Sequence, residues 1–379
     1  MPLIYLVAGE ASGDALGARL MAALRRRRAD DVTFAGVGGE AMAASGLGSL
    51  FPLHDLALMG LLEVLPRLRQ LRRRLRQTVD DIAARRPDVV VTIESPGFTL
   101  RLLQAVTPLS VKRVHYVAPQ AWAWREGRVR HYHGLWDRLL CLLPFEPEFF
   151  ARHDLPATFV GHPVLESGAD EGDAVRFRAR HGVDPAARIL TLMPGSRRTE
   201  VSRLLPILGA ALRRLPEDLV PAVPVAGPVA ESVTAATRDW AHRPVLVTDA
   251  GDKYDAFAAS SVALTKSGTS TLELAMANVP MVVTYRVNPL TAAIARRLVT
   301  VPYAALVNLL AKREVAPELI QAACTPERLA AAVRALLDDP AAASAQRAGF
   351  RDVLSQLRPA VGMPSDAAAD VVLELLDQS

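Results

Sequence analysis

The sequence has few of the residues that build disulfide scaffolds, metal centres or membrane spans. Only two cysteines occur in 379 residues, Cys141 and Cys324, and neither belongs to a CxxC pair or has a histidine nearby. We expect both to be buried thiols in a reducing compartment. Apolar stretches are interrupted by Arg, Pro or Gly well before the roughly 20 residues that a bilayer span needs, and the first residues do not resemble a signal peptide. The chain is therefore expected to be neither secreted nor membrane-spanning.

Patterns of metal ligands are also scarce. The eight histidines are scattered, and the close pair His131 and His133 has a spacing that places the two rings on different faces of a helix. No Asp-x-Asp closes a hydrophobic strand, and GxSxG, HExxH and P-loop patterns do not occur. We expect no resident metal and no other cofactor.

What the sequence does contain is a regular alternation of short apolar strands and helical patterns. Half of its residues are apolar, enough for two sizeable cores. Strands are predicted at 2–9, 32–38, 88–94, 111–117, 137–143 and 157–161, and a second series at 188–196, 221–227, 244–249, 261–268 and 280–285. Their hydrophobicity is continuous along each strand, which is typical of parallel sheets covered by helices on both faces.

Two such series predict an α/β fold with two Rossmann-like, doubly wound parallel-sheet domains and a cleft between them. Helices are predicted at 14–28, 57–86, 97–106 and 145–153, and from residue 315 onward the pattern is wholly helical. We place the domains at 1–165 and 166–340, followed by C-terminal helices at 341–379. Ligands of such sheets bind beyond the carboxyl ends of the strands, so the candidate site residues are sought there.

One strand end carries an acid. In DVVVTIESPGF (88–98) a buried run of β-branched residues ends in Glu94, and Ser95 follows. A buried carboxylate is costly unless it is hydrogen-bonded or lines a cleft, so Glu94 is a candidate general base. The alternative is that Glu94 or Ser95 caps the helix that begins after Pro96.

The first strand runs into GEASGD (9–14). Its glycines allow a tight turn, and Ser12 or Asp14 can cap the next helix and leave backbone N–H groups pointing outward. A plain strand-to-helix turn explains the segment equally well. It does not match GxGxxG, so a dinucleotide site is not indicated.

Two turns of the second half suit a diphosphate. In MPGSRRTE (193–200), Gly195 and Ser196 allow close approach of a ligand and Arg197 offers a forked cation. In TKSGTSTLE (265–273), a strand ends in Ser267, Gly268, Thr269 and Ser270 at a predicted helix start. Glu273 can accept hydrogen bonds from the hydroxyls of a ribose, or it can close a capping box on Ser270.

The segment LMGLLEVLPRLRQLRRRLRQ (58–77) joins an apolar half to an arginine-rich half, and Pro66 is expected to break or bend it. Such a segment can enter a membrane interface, with arginines on anionic head groups. A helix with one core-facing side and one solvated side explains the arginine half equally well.

Taken together, the motifs resemble the lipid-A-disaccharide synthase family. They follow the family's order from about residue 3 to 330: GEASGD, GVGGEAM, LMGLLEVLP, YVAPQAWAWREGR, LPFEPEFF, VGHPV, LMPGSRRTEV, KSGTSTLELA, YRVNPLT and VNLLAKREVAPELIQ. The resemblance implies a metal-independent inverting glycosyltransferase of the two-domain GT-B type. Such an enzyme transfers 2,3-diacylglucosamine from UDP-2,3-diacylglucosamine to the 6-hydroxyl of 2,3-diacylglucosamine 1-phosphate (lipid X) and releases UDP.

The resemblance also implies a location and partners. The family works at the cytoplasmic face of the inner membrane, so an anionic membrane surface is an expected partner. The first domain is expected to face acceptor and membrane, and the second to bind the UDP-sugar. The family includes a C-terminally swapped dimer, so the terminal helices are expected either to pack back on the first domain or to be exchanged in a homodimer.

The candidate site residues, most of them carried over from the family by position, fall into two groups. The donor side comprises Gly195, Ser196, Arg197, Ser267, Gly268, Thr269, Ser270, Glu273, Asn308 and Gln321. The catalytic and acceptor side comprises Glu94, Asp14 and Glu10, with Ser12, Met59, Leu62, Glu63 and Leu65 facing the acceptor or lipid. The family pattern IDxPDFN has an Asp where this chain has Glu94, and the usual proline before Asn308 is Val307.

Three other interpretations are weighed against this one. Another GT-B UDP-sugar enzyme, such as a 2-epimerase, should lack GEASGD and WAWR. A non-catalytic UDP-sugar sensor would retain the fold, and Glu94 in place of Asp is the feature that favours it. A nucleic-acid-binding protein would use the arginine clusters, but no known module or aromatic platform accompanies them, so we expect no nucleic-acid partner.

Overall fold

The computed structural model describes residues 1–29, 31–56 and 61–378, without the side chains at 61–67, 250, 290 and 294. These residues form two compact units, Met1–Pro163 with Leu357–Ser379, and Val164–Gln356. Both units contain a six-stranded sheet whose strand pairs are all parallel. The predicted fold of two Rossmann-like sheet domains is confirmed.

The first unit has the strand order β2-β1-β3-β4-β5-β6. Its strands are β1 (Leu3–Ala8), β2 (Thr33–Val37), β3 (Val89–Ile93), β4 (Lys112–Tyr116), β5 (Arg138–Cys141) and β6 (Ala157–Phe159). Its helices are α1 (Ala11–Arg28), α2 (Glu40–Ala44), α3 (Leu61–Arg85), α4 (Pro96–Val106), α5 (Glu146–Ala151) and, from the end of the chain, α15 (Pro364–Asp377).

Continuous hydrophobicity in the strands serves two cores, one on each face of the sheet. Ile4 and Leu6 of β1 join a cluster with α1 and α15. Tyr5 and Val7 point to the other face and join a cluster with α3 and α4. Because successive side chains of a strand alternate between faces, a strand buried on both sides must be apolar throughout.

The second unit has the strand order β12-β11-β10-β7-β8-β9. Its strands are β7 (Arg188–Met193), β8 (Leu219–Pro224), β9 (Val245–Val247), β10 (Val262–Lys266), β11 (Met281–Tyr285) and β12 (Glu318–Ile320). Its helices are α6 (Ala174–His181), α7 (Arg198–Leu212), α8 (Ala230–Thr237), α9 (Ala250–Ala259), α10 (Ser270–Met276), α11 (Pro289–Leu298), α12 (Leu306–Ala311), α13 (Pro326–Asp338) and α14 (Pro340–Gln356).

Short 3₁₀ turns complete the described elements, at Leu53–Asp55, Thr107–Leu109, Glu126–His131, Pro163–Glu166, Gly227–Val229 and Gln321–Ala323. None of the helices in the described ranges combines the length and the apolar content that crossing a bilayer requires.

Two local predictions were wrong. The region from 315 onward is not wholly helical, because β12 pairs with β11 through Val283 and Glu318. α3 also continues through Pro66 as one helix of 25 residues, so the predicted break at Pro66 is wrong, while a bend there stays a prediction. A proline within a helix removes only one backbone donor, and the many remaining bonds of a long helix can outweigh that loss.

The C-terminal helix α15 packs on α1 within the first unit. Arg26 pairs with Asp366 at 2.8 Å and Arg27 with Asp370 at 2.7 Å along the two helices. Of the predicted C-terminal helices at 341–379, only α15 packs back on the first unit, whereas α14 belongs to the second unit. Exchange in a homodimer stays a prediction.

Candidate functional site

The first candidate site lies where β1 and β3 end side by side. Ala8 and Ile93 are register partners, so the turns at Gly9 and Glu94 follow adjacent strands. Chain order reverses here, since β2 lies on one side of β1 and β3 on the other. The carboxyl edge at such a reversal is the usual ligand site of a doubly wound sheet.

Glu94 stands in an unusual backbone conformation. Its φ is 54° and that of Ser95 is 44°, so two successive residues other than glycine are left-handed. Each such residue costs on the order of 1 kcal/mol or more. The turn is held by the Glu94 N–H donating to the Tyr116 carbonyl at 3.0 Å and by the Thr99 hydroxyl donating to the Glu94 carbonyl at 2.7 Å. Local strain of this kind is frequent at functional sites.

Glu94 is partly exposed, and its carboxylate faces Ser12 in the loop that follows β1. Ser12 Oγ donates a hydrogen bond to Oε2 of Glu94. Burial raises the pKa of Glu94 above its ordinary value, the charge of Glu10 raises it further, and hydrogen bonds from Ser12 and the Gly13 N–H act in the opposite direction. A carboxylate with a raised pKa is a stronger base than an ordinary surface glutamate.

The capping alternative for this turn is not what the structure shows. Ser95 is the N-cap of α4, but its side chain makes no capping bond. Its hydroxyl donates instead to Glu10 Oε1 at 3.2 Å. Gly9 makes this contact possible, because a Cβ there would lie 2.2 Å from Ser95 Cβ. Glu94 with Ser12 and Glu10 with Ser95 thus form two neighbouring hydrogen-bonded pairs, which we together call the edge group.

Asp14 has a different environment from the edge group. It is 6% exposed, and its carboxylate accepts from the N–H groups of Gly39 at 2.7 Å, Ala41 at 2.9 Å and Met42 at 3.1 Å. These are the unpaired donors at the start of α2. Asp14 therefore caps α2 rather than α1, whose N-cap is Glu10 without a side-chain bond.

Several residues named for acceptor or lipid contact cannot be placed. Met59 lies outside the described residues, as do the side chains of Leu62, Glu63 and Leu65. In the described part of α3, Leu71 and Leu75 pack on the core while Arg72 and Arg73 are exposed. From residue 68 onward, α3 is thus a core-facing helix with a solvated arginine side.

The second candidate site lies where β7 and β10 end, and here too the strand order reverses. A cavity of about 610 Å³, which we call the donor cavity, opens at this edge. Its lining includes Gly195, Ser196 and the turn Gly268, Thr269 and Ser270, together with Lys253 and Lys266. Five of the residues predicted for the donor side therefore share one cavity.

Lys266 is paired with a buried acid in this cavity. Its Nζ lies 3.0 Å from Oε1 of Glu200, whose side chain is only 7% exposed. Oε2 of Glu200 is buried and finds no hydrogen-bond partner within the described part of the chain. It lies against Gly195, where a Cβ would approach it to 2.4 Å. Gly195, with φ of 112°, thus provides both the backbone conformation and the space that this pair requires.

Glu273 does not close a capping box on Ser270. Both of its carboxylate oxygens lie 2.8 Å from Lys253 Nζ, and Tyr254 OH donates to Oε1 at 3.1 Å. The N-cap of α10 is Thr269, without a side-chain capping bond. Glu273 is thereby held beside Lys253, a residue of the donor cavity.

The remaining donor-side residues lie elsewhere in the second unit. Ser267 donates to the Ala304 carbonyl at 2.5 Å. Arg197 is exposed at the N-cap of α7 and does not belong to the lining of the donor cavity. Gln321 lines a separate cavity of about 500 Å³ with Arg203 and Arg286.

Asn308 is completely buried and fully hydrogen-bonded. Its Nδ2 donates to the Ala316 carbonyl at 2.7 Å and to Glu318 Oε1 at 2.8 Å, and its Oδ1 accepts from the N–H groups of Val315 and Ala316. These bonds tie α12 to the segment that leads into β12. We therefore expect Asn308 to position this segment rather than to contact a ligand.

Sequence reasoning missed Lys253 and Lys266. Lys266 directly precedes Ser267 in the motif KSGTSTLELA, so its place at a strand end was a usable signal. Lys253 had no such signal, because it belongs to α9 and only the folded chain brings it to the cavity.

In the described part of the chain, no group of three or more His, Cys, Asp or Glu is arranged to hold a metal ion.

Comparisons with known proteins agree with this arrangement. A family model described as lipid-A-disaccharide synthetase matches residues 4–372. The chain is 59% identical to a lipid-A-disaccharide synthase of Gluconobacter oxydans, over 99% of this chain and 91% of that protein. It is 55% identical to the protein of that name from Granulibacter bethesdensis, over 100% of this chain and 99% of the other.

Solved structures share the fold at low sequence identity. The UDP-GlcNAc 2-epimerase from Neisseria meningitidis bound to UDP-GlcNAc superposes with a TM-score of 0.65 at 12% identity, covering 100% of both chains. The glycotransferase of kitacinnamycin superposes with a TM-score of 0.61 at 17% identity, covering 98% of both chains. These similarities extend over whole chains, so both sheet units belong to the shared fold.

Proposed function

This chain belongs to the lipid-A-disaccharide synthase family, and from that premise we propose how its residues divide the reaction. It is a glycosyltransferase of lipid A disaccharide synthesis and uses a UDP-sugar. We propose that the donor is UDP-2,3-diacylglucosamine and that the acceptor is the 6-hydroxyl of lipid X. The anomeric centre is inverted, which gives a β-1,6 link.

The observation that carries this proposal is the edge group around Glu94. Direct inversion requires a base that removes the proton of the acceptor hydroxyl while the sugar–phosphate bond breaks. Glu94 offers a carboxylate with a raised pKa at the carboxyl edge of the first sheet. Ser12 orients that carboxylate, and Glu10 raises its basicity through its negative charge. We assign Asp14 a positioning role, because its oxygens are occupied by the start of α2.

The departing UDP needs positive support at its diphosphate. α10 has only seven residues, so we assign most of this support to the lysines of the donor cavity. Lys266 and Lys253 each face a carboxylate in the structure, Glu200 and Glu273 respectively. The turn Gly268–Ser270 and Gly195 let the diphosphate approach the backbone, and Glu273 is retained as the candidate ribose ligand. Arg197 can add a further positive charge to the diphosphate from the rim of this edge.

In this proposal the first unit binds the acceptor and the second the UDP-sugar. We further propose that the protein is peripheral on the cytoplasmic face of the inner membrane. Contact with anionic lipid would come through the segment from residue 58 to the first turns of α3. A homodimer that exchanges its C-terminal helices is the proposed oligomer.

One assay tests the reaction. Purified protein is incubated with UDP-2,3-diacylglucosamine and lipid X, with and without EDTA, and the lipid products are separated. Disaccharide 1-phosphate is expected in both samples. No product would overturn the proposed reaction and favour a UDP-sugar sensor, and formation of an epimerised UDP-sugar would favour the epimerase alternative. Loss of product on chelation would overturn the metal-free mechanism.

A further inference from the structure

In the first unit a cavity opens between α3 and α4. Its volume is about 570 Å³. Most of its wall is apolar and comes from Leu56, Leu68, Leu71, Leu75 and Phe98. We call it the α3/α4 groove. An apolar groove of this size fits hydrocarbon better than it fits a sugar alone.

The groove reaches the edge group. Glu10 and Ser95, which are hydrogen-bonded to each other at 3.2 Å, form part of its lining. Gly97 lines it as well, and among the described residues no heavy atom lies within 4 Å of where its Cβ would be. The groove is therefore open at the start of α4, close in the chain to the candidate base.

Two arginines complete the lining, Arg72 from α3 and Arg101 from α4. Both are exposed, and among the described residues neither forms an ion pair with a carboxylate. Arg74, in contrast, is paired with Asp55 at 2.5 Å. The groove thus combines apolar walls with two unneutralised guanidinium groups, whose donors match the oxygens of a phosphate.

We propose that the α3/α4 groove binds the acceptor lipid and that Arg72 and Arg101 recognise its 1-phosphate. This inference rests on the proposed function, because it takes the acceptor to be an acylated sugar phosphate. The acyl part lies on the leucines and the phosphate on the arginines. The phosphate at C1 and the hydroxymethyl group at C5 flank the ring oxygen, so cations that hold the phosphate also orient the 6-hydroxyl toward the edge group.

The test compares two acceptors, lipid X and the same diacylglucosamine without its phosphate. Initial rates are measured at saturating UDP-sugar for the wild type and for the double variant Arg72→Gln/Arg101→Gln. We expect KM for lipid X to rise about tenfold or more, equivalent to about 1.4 kcal/mol. KM for the unphosphorylated acceptor and the Kd for UDP should stay unchanged, because UDP binds the second unit.

Matched variants keep the result interpretable. Arg73→Gln removes an exposed arginine of α3 that is not part of the groove lining, and it should leave both KM values unchanged. Gly97→Leu fills the opening of the groove and should raise KM for both acceptors without weakening the binding of UDP. Thermal unfolding of each variant shows whether it is folded, and Arg101→Gln alone replaces the double variant if that one unfolds.

The outcomes separate this inference from the proposed function. If the wild type forms no disaccharide, the proposed function fails. If it forms disaccharide and the double variant keeps the full preference for lipid X, only the groove assignment fails. Binding to vesicles of phosphatidylglycerol is measured last, for the wild type and the double variant. Loss of vesicle binding with an unchanged preference for lipid X would assign the arginines to bilayer phospholipid and overturn the inference.

Discussion

Replacing Glu94 by Gln is the most direct test of the chemistry, because it keeps the size of the side chain but removes its charge and its basicity. The amide oxygen can still accept from Ser12 and from the Gly13 N–H, so the strained turn should persist. General base catalysis contributes about 10²–10⁴-fold to a rate. A loss of kcat in that range is therefore expected, which corresponds to about 3–5 kcal/mol of activation free energy.

The structure also fixes the sign of the stability change. The pKa of Glu94 is higher in the folded chain than in the unfolded chain, mainly because the carboxylate is buried. The proton-bound form thus favours folding at low pH, and this contribution is lost as the pH rises through the folded-state pKa. Glu94→Gln removes a costly charge, so its melting temperature at pH 8 should equal or exceed that of the wild type.

The assay measures kcat with lipid X across pH, together with UDP affinity by calorimetry. The wild-type rate should fall at low pH as Glu94 becomes protonated, and at a higher pH than an ordinary glutamate would give. Glu10→Gln removes a neighbouring negative charge, so it should shift this acidic limb to lower pH. A Glu94→Gln enzyme with wild-type kcat, or with UDP affinity lost in parallel, would refute the assignment of Glu94 as the base.

Three further predictions concern the two units. Lys266→Met should weaken the affinity for UDP about tenfold but leave the affinity for uridine unchanged. Both affinities are measured by calorimetry, with Lys312→Met as the control. An equal loss of uridine affinity would contradict a contact with the diphosphate. Asp14→Asn should lower the free energy of unfolding by about 1–3 kcal/mol, because α2 loses hydrogen bonds, and an unchanged denaturant midpoint would exclude its capping role. Asn308→Ala should destabilise the fold by at least as much, because three buried backbone groups lose their bond to Asn308. Loss of UDP affinity at full stability would instead favour a ligand role.

The sequence predicted the strands of both sheets to within a few residues, with β12 as the exception. Strands buried on both faces must be apolar throughout, and this pattern is visible without any tertiary information. β12 has only three residues, and it exists because it pairs with β11. Such a short strand has no periodicity of its own, so a helical interpretation of that region was the natural outcome.

Motif reasoning located the right loops but could not say how each polar side chain is used. In the sequence, Asp14 and Glu94 both appeared as acids that follow the end of a strand. In the structure, Asp14 binds backbone amides of α2 while Glu94 meets a serine and a second acid. The difference depends on α2, which is distant from both residues along the sequence. Only folding brings its first N–H groups to Asp14.

The sequence by itself determined the two sheet units, the strand ends that carry chemistry and the family to which the chain belongs, because these follow from local hydrophobic patterns and ordered motifs. Only the tertiary structure decided which side chains share a cavity. Lys253 comes from α9 and Lys266 from the end of β10, and Arg72 and Arg101 come from different helices. Charges that meet across separate elements leave no pattern along the chain, since their proximity is created by packing.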